Sequence, residues 1–261
     1  MEIIILIKHV PDTGSILSID SNKKSISEDN IKWIMNPYDE IALEEGLRIK
    51  DSQGGKITLL CVGNDKSVDI LRKGLAMGAD DAVLIHDDEI DLNNSLAIAK
   101  LISVKIKSHS FDLIISGQCA VDDGYGLVGP AVAVFLSIPH ISFVEHVNIS
   151  SNKLVCRQTM DIGAVTCETS FPALITAQRG LNEPRYPSMM GIMKAKKKEI
   201  EKKTLSDIGI SWDQISNDKS KALITSMRLP TSQRTIKIID GTSNDKKVKN
   251  LVNCLLNDRI L

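Results

Sequence analysis

The hydrophobic pattern opens with an unbroken aliphatic run from Ile3 to Ile7, which predicts a strand covered on both faces in a parallel sheet. It ends at Lys8, the first residue of a loop running to Gly14. Asn36 and Pro37 pair a capping residue with a proline suited to the first helical position, and apolar Ile41, Ala42, Leu47 and Ile49 carry the predicted helix to Lys50. Gly54-Gly55 breaks it. Lys56 to Val62 is a second strand ending at Gly63, Ser67 to Gly78 a helix, Ala82 to Ile85 a third strand, and Asn94 to Lys107 a helix with apolar residues at helical spacing. Phe111 to Ser116 is again apolar, followed by a glycine- and aspartate-rich loop from Gly117 to Gly129 and an apolar segment that starts another helix. Ile141 to Ile149, Lys153 to Arg157, Thr166 to Glu168 and Phe171 to Thr176 read as further strands.

This alternation predicts an α/β fold with a Rossmann-like, doubly wound, mostly parallel sheet, right-handed crossovers and an added antiparallel edge. From Arg179 the pattern changes. Gly180 to Gly191 has glycines at its ends and prolines within, so it reads as an exposed loop, and a basic run follows at Lys194, Lys196, Lys197, Lys198, Lys202 and Lys203. Beyond Leu205 the chain is polar with scattered apolar anchors through Leu255. We therefore expect residues 1–200 to form one α/β domain that includes the exposed segment 180–198. Residues 201–261 would be a C-terminal arm packed on a partner subunit.

Composition adds limits. The chain has 261 residues, 43% apolar but only 3% aromatic, so aliphatic side chains must fill its core. The formal net charge of −1 gives no global case for nucleic acid or an anionic membrane. The first apolar run is too short for a signal segment and no stretch approaches membrane-spanning length, so a cytoplasmic protein without membrane insertion is expected. Five cysteines without CxxC spacing read as buried or idle thiols in a reducing compartment.

In open parallel sheets, ligands bind beyond the carboxyl ends of the strands near the point where strand order reverses. Four segments converge there: the loop from Lys8, the helix start at Asn36, Val62-Gly63, and the loop from Gly117 to Gly129. Strand, glycine-rich loop and helix start together make a phosphate cradle. Gly124, Gly126 and Gly129 match G-x-G-x-x-G, but after the fourth strand rather than the first, which sets the match apart from a dinucleotide fingerprint. Asp122 and Asp123 read as turn formers or ribose acceptors rather than a catalytic pair. The five histidines have no metal-ligand spacing, and neither a P-loop nor a nucleophile elbow is present, so no metal site and no catalytic residue is expected.

Several blocks together resemble the electron transfer flavoprotein β subunit. They are Lys8-x-Val10-Pro11-Asp12, Asn36 through Glu45, Ala76 through Asp80, Gly117 through Asp123, Phe171-Pro172-Ala173, and above all Arg179 through Tyr186 followed by Gly191 through Lys198. The resemblance implies a fold of the adenine-nucleotide α-hydrolase type and a heterodimer with an α subunit that holds most of the FAD. It also implies AMP bound structurally in this subunit and electrons accepted from acyl-CoA dehydrogenase-type flavoproteins. Carried over by position, the nucleotide contacts are Leu6, Asn36, Pro37, Tyr38, Asp39, Val62, Gly117, Gln118, Cys119, Ala120, Val121, Asp122, Asp123, Gly124, Tyr125, Gly126, Leu127 and Val128. Partner docking falls to Met189, at the position of the family's exposed apolar anchor, with Arg185, Tyr186, Lys194 and Lys196.

The resemblance leaves one alternative open. In electron-bifurcating members a second FAD, reduced by NADH, takes the place of AMP. Val128-Gly129-Pro130 and the Lys8 block lean toward those members, whereas Asp122-Asp123 without a following threonine leans toward AMP binders. AMP is the expectation carried forward, with FAD as the alternative.

Overall fold

The computed structural model describes residues 1–22, 24–27, 29, 31–150, 152–216, 224–230 and 236–260. The chain divides into a larger unit, Met1–Leu17 with Glu28–Ile224, and a smaller one, Ser18–Ser27 with Thr225–Leu261.

In the larger unit β1 (Glu2–Ile7) lies at the centre of a sheet with β4 (Lys56–Val62) on one side and β6 (Leu113–Gly117) on the other, both parallel to it. β5 (Asp81–Ile85) and β11 (Glu201–Lys203) extend the β4 side, while β10 (Ala173–Ala177) and β7 (His140–Ser150) extend the β6 side, all parallel. β8 (Lys153–Met160) and β9 (Gly163–Ser170) complete the nine strands as an antiparallel hairpin. The predicted α/β architecture and antiparallel edge are therefore both present. A short ribbon of β2 (His9–Pro11) and β3 (Trp33–Met35) stands apart.

Alternation along β1 explains why it had to be aliphatic throughout. Ile3, Ile5 and Ile7 enter one core with α1 (Pro37–Gln53) and α2 (Val68–Met77), whereas Ile4 and Leu6 enter a second with α3 (Ser95–Lys107) and α4 (Val128–Leu136). Each such side chain contributes roughly 1.5–3 kcal/mol by leaving water. Leu205, in α6 (Leu205–Ile208), and Ile215, in α7 (Trp212–Ser216), also join the second core. The strand order β5-β4-β1-β6 reverses direction between β1 and β6, so the crevice at their carboxyl ends is the switch point of the sheet.

The smaller unit holds a turn closed by Ser27 N–H to Ser18 O and a bridge between Ile19 and Ile26. It also holds α8 (Asn244–Asn257), capped by Ser243 Oγ. Val248, Leu251, Val252 and Leu256 of α8 are exposed at helical spacing.

Candidate functional site

The switch point is built around one buried carboxylate. Asp39 lies in the first turn of α1, only 5% exposed, and both its oxygens are used inside the protein. Its Oδ2 accepts the Lys8 N–H at 2.7 Å, and its Oδ1 accepts the Gly117 N–H at 3.1 Å and Asn36 Nδ2 at 3.0 Å. The carboxylate thus ties the ends of the two strands at the switch point to the helix start. Burial raises its pKa to about 7, against the three donors, which favour the ionised form. Gly117 is required by this clamp, since a Cβ there would strike Asp39 Oδ1 and the Tyr38 backbone.

Asn36 was expected to cap α1 with its side chain. It instead makes no side-chain cap bond to the helix. Its Nδ2 also donates to Cys119 O at 2.9 Å and its Oδ1 accepts the Val121 N–H at 3.2 Å, so the amide holds the Gly117–Val121 segment as a second backbone would. Only the Asn36 carbonyl serves the helix, accepting from Asp39 and Glu40 N–H.

A third tie closes the loop. Lys8 Nζ pairs with Asp122 and Asp123, each at 2.9 Å. Burial pulls this ammonium's pKa down, but the two carboxylates outweigh it and hold the value above the ordinary lysine range. The ammonium offsets one of the two negative charges and so lessens their repulsion of an anion. Beyond it, Asp123 Oδ1 accepts Tyr125 N–H, Gly124 and Gly126 take left-handed φ of 66° and 59°, and Tyr125 stands exposed.

The loop leads into α4, whose N-cap is Leu127, with no side chain capping the helix. Among the described residues no acceptor is found for the N–H groups of Gly126, Leu127, Val128 and Gly129. Gly129 packs so closely on Ser116 Oγ that a Cβ would collide with it, and both Ser116 Oγ and Gln118 Oε1 are buried without a partner. Free amides at a helix N-terminus suit a phosphate.

Among the remaining positions, Ala120 is half-buried in the same loop, Pro37 and Tyr38 lie at the start of α1, and the Leu6 side chain turns into the second core. Val62 ends β4 on the far side of β1, where the Gly63 carbonyl meets His86 Nδ1 at 3.0 Å. Cys119 is half-buried, and burial raises its thiol pKa. Lys8 and Ser116 were not singled out as site residues, although a lysine directly after a central strand at the switch point was a usable signal.

The second region is the segment 180–198. The Arg185 guanidinium makes two bonds to Glu44, Nε–Oε2 at 2.8 Å and Nη2–Oε1 at 3.0 Å, and one to Asp51 at 2.9 Å, and its backbone N–H donates to Glu44 Oε2 at 3.1 Å. Asn182 Nδ2 donates to Glu45 Oε2 at 3.0 Å and to Ile41 O at 3.1 Å. Glu44 and Glu45 are buried on α1 and act as sockets for this loop, a role that sequence reasoning missed. Two adjacent glutamates within an otherwise apolar helix face were the available clue. Arg185 is thus bound back onto its own chain, whereas its neighbour Tyr186 is 95% exposed. The segment continues as α5 (Met189–Lys197), capped by Ser188 Oγ on Gly191 N–H. It is fixed to α2 by Arg72 bonding Ala195 O and Lys198 O, and by Gly191 packed against Ala76 O. Met189, Met190 and Met193 face outward beside exposed Lys194, Lys196 and Lys197.

Comparison with known proteins agrees with this arrangement. A family model for the electron transfer flavoprotein domain matches residues 24–208. The chain is 37% identical over 257 residues to the electron transfer flavoprotein subunit beta of Bacillus subtilis, covering 98% of this chain and 97% of that one. It is 35% identical over 253 residues to the subunit of the same name from Thermoanaerobacterium thermosaccharolyticum, covering 97% and 96%. With that of Megasphaera elsdenii it shares 40% over 208 residues, 77% of each chain. The chain belongs to the electron transfer flavoprotein β-subunit family. In this β subunit, then, the resemblance seen in separate sequence blocks holds across nearly the whole chain. The blocks that carried it, Asn36 to Glu45, Gly117 to Asp123 and Arg179 to Tyr186, are the segments that bond to one another in the fold.

Proposed function

We propose that this β subunit pairs with an α subunit in the cytoplasm and accepts electrons from acyl-CoA dehydrogenase-type flavoproteins through an FAD held mainly by α, with AMP bound structurally at the switch point. The observation that carries the reading is the outward apolar set of Tyr186, in the loop, and Met189, Met190 and Met193, flanked by Lys194, Lys196 and Lys197, on a helix bound to α2 from behind. Methionines adapt to varied surfaces, and the lysines steer an acidic partner. No helix among the described residues is long and apolar enough to cross a membrane, and all five cysteines are free thiols, which agrees with a reducing compartment.

The residues of the cradle fit AMP. The N–H groups of Gly126 to Gly129 would hold the phosphate, and the Asp39, Asn36 and Lys8 ties hold the loop in place for it. FAD in the complex supplies the redox chemistry; this chain binds, orients and docks. In the arm, the uncovered stripe of α8 packs on the α subunit, as an amphipathic helix requires of a partner.

Counting nucleotides released on denaturing the purified αβ complex tests the assignment. One FAD and one AMP per heterodimer are expected. Two flavins without AMP, together with anaerobic reduction by NADH, would overturn it in favour of a bifurcating subunit.

A further inference from the structure

Two of the five cysteines meet in the fold. In the register of the β8–β9 hairpin, Cys156 lies directly opposite Cys167. Opposed residues of an antiparallel pair have Cα atoms about 4.5–5.5 Å apart, within the roughly 4.4–6.8 Å that a disulfide spans. Both thiols are free. Cys156 is fully buried in the first core, while Cys167, on the edge strand, is half-buried and its Sγ points back to β8, 3.7 Å from Gln158 Oε1. Burial raises the Cys156 thiol to about 12, and Cys167 is the next largest contributor to that rise, as expected of neighbouring sulfurs.

We propose that Cys156 and Cys167 form a dithiol site that reacts with small-molecule disulfides and closes to a cross-strand disulfide at the outer edge of the sheet. Cys167, the accessible member, attacks as thiolate. Its bond to one sulfur of the small disulfide forms as the S–S bond of that molecule breaks, and one small thiol leaves with a proton. Cys156 then loses its proton and attacks Cys167 Sγ. The protein disulfide forms, the mixed one breaks, and a second small thiol leaves. The protein loses two electrons and two protons, and the small disulfide gains both. Because the resolving thiol is buried, closure is the slow step and accelerates with pH. The new bond ties β9, which among the described residues pairs only with β8, covalently to the sheet.

The test incubates the full-length chain, in its complex with α, with excess oxidised glutathione, then quenches with acid and maps the peptides. The expected product is a linked Cys156–Cys167 peptide lighter than the reduced pair by two hydrogen atoms, with Cys61 unmodified. Closure should speed up about tenfold per pH unit between pH 7 and 9. Cys156→Ser should trap glutathione on Cys167, and Cys167→Ser should leave Cys156 unmodified. Recovery of both as free thiols in the wild-type complex overturns the proposal, as does a Cys167–glutathione adduct that persists at pH 9. The wild-type map decides between these outcomes even if a variant fails to fold.

Discussion

The switch-point loop and the 180–198 segment share one plan. Each is a loop running into a nine-residue helix, and each helix carries a glycine pressed against another element, Gly129 on Ser116 Oγ and Gly191 on Ala76 O. They differ at the helix N-terminus. α4 begins at Leu127 without a side-chain cap and keeps its amides free, whereas α5 is capped by Ser188. They differ also in where their side chains go. The first loop is held from outside by Asn36, Asp39 and Lys8, which fix its backbone around the open amides, while the second uses Arg185 and Asn182 to fix its underside and leaves Tyr186 and the methionines in solvent. An anion site needs unsatisfied backbone donors, and a docking surface needs unsatisfied apolar area; the same architecture supplies either.

The sharpest way to break the contrast is Gly117→Ala. The added Cβ meets the Asp39 carboxylate and the backbone of Tyr38, so a loss of about 3 kcal/mol is expected. Nucleotide retention should fall with it, and denaturant melts alongside nucleotide release would show both. If the variant melts like wild type, the clamp is not what organises the site.

Next in size, Arg185→Ala leaves the buried Glu44 with Arg48 at 3.4 Å and the backbone N–H of residue 185 at 3.1 Å, and losing the guanidinium should cost roughly 2 kcal/mol. Tyr186→Ala, one residue away, should change stability by less than about 0.5 kcal/mol yet slow electron transfer from the dehydrogenase. Equal effects of the two on melting would erase the distinction between anchor and presented surface.

A finer test concerns Asp39. Burial raises its folded-state pKa from the ordinary 3.8 to about 7, so the folded chain keeps a proton that the unfolded chain releases in that window. Its contribution to stability is complete below the unfolded value and is lost as pH rises through the folded one. The stability advantage of wild type over Asp39→Asn should therefore shrink between pH 4 and 7 and level off above, as followed by urea melts. A pH-independent difference would show that the three donors, and not burial, govern the carboxylate. The smallest effect is expected for Met189→Ala, with stability unchanged within about 0.5 kcal/mol and a slower transfer rate from the dehydrogenase as its only signature.

Much of this organisation was legible because it follows from local pattern. The aliphatic run at Ile3 to Ile7, the helix start at Asn36-Pro37 and the glycine loop after β6 each have a physical cause within a few residues of chain. Their convergence at the sheet's carboxyl ends follows from strand order and crossover handedness. Most of the parts that were not legible depend on side chains meeting across more than thirty residues of sequence, while the Cys156–Cys167 pair depends on the register of a hairpin. Asn36 looks like an ordinary cap until Cys119 and Val121 offer it better partners, and Arg185 looks like a surface arginine until Glu44 meets it.

Hydrophobic period, turn chemistry and the family blocks thus determined the β-α order, the doubly wound sheet and the place of its crevice, because burial of alternate side chains leaves few arrangements for such a pattern. Tertiary packing alone decided which polar groups are consumed and which stay free. It assigned Asp39 to hold the backbone, left the amides of α4 open, turned Arg185 inward and Tyr186 outward, and set Cys156 against Cys167. Hydrogen bonds and close contacts are short-ranged, and only the folded chain brings distant residues within their reach.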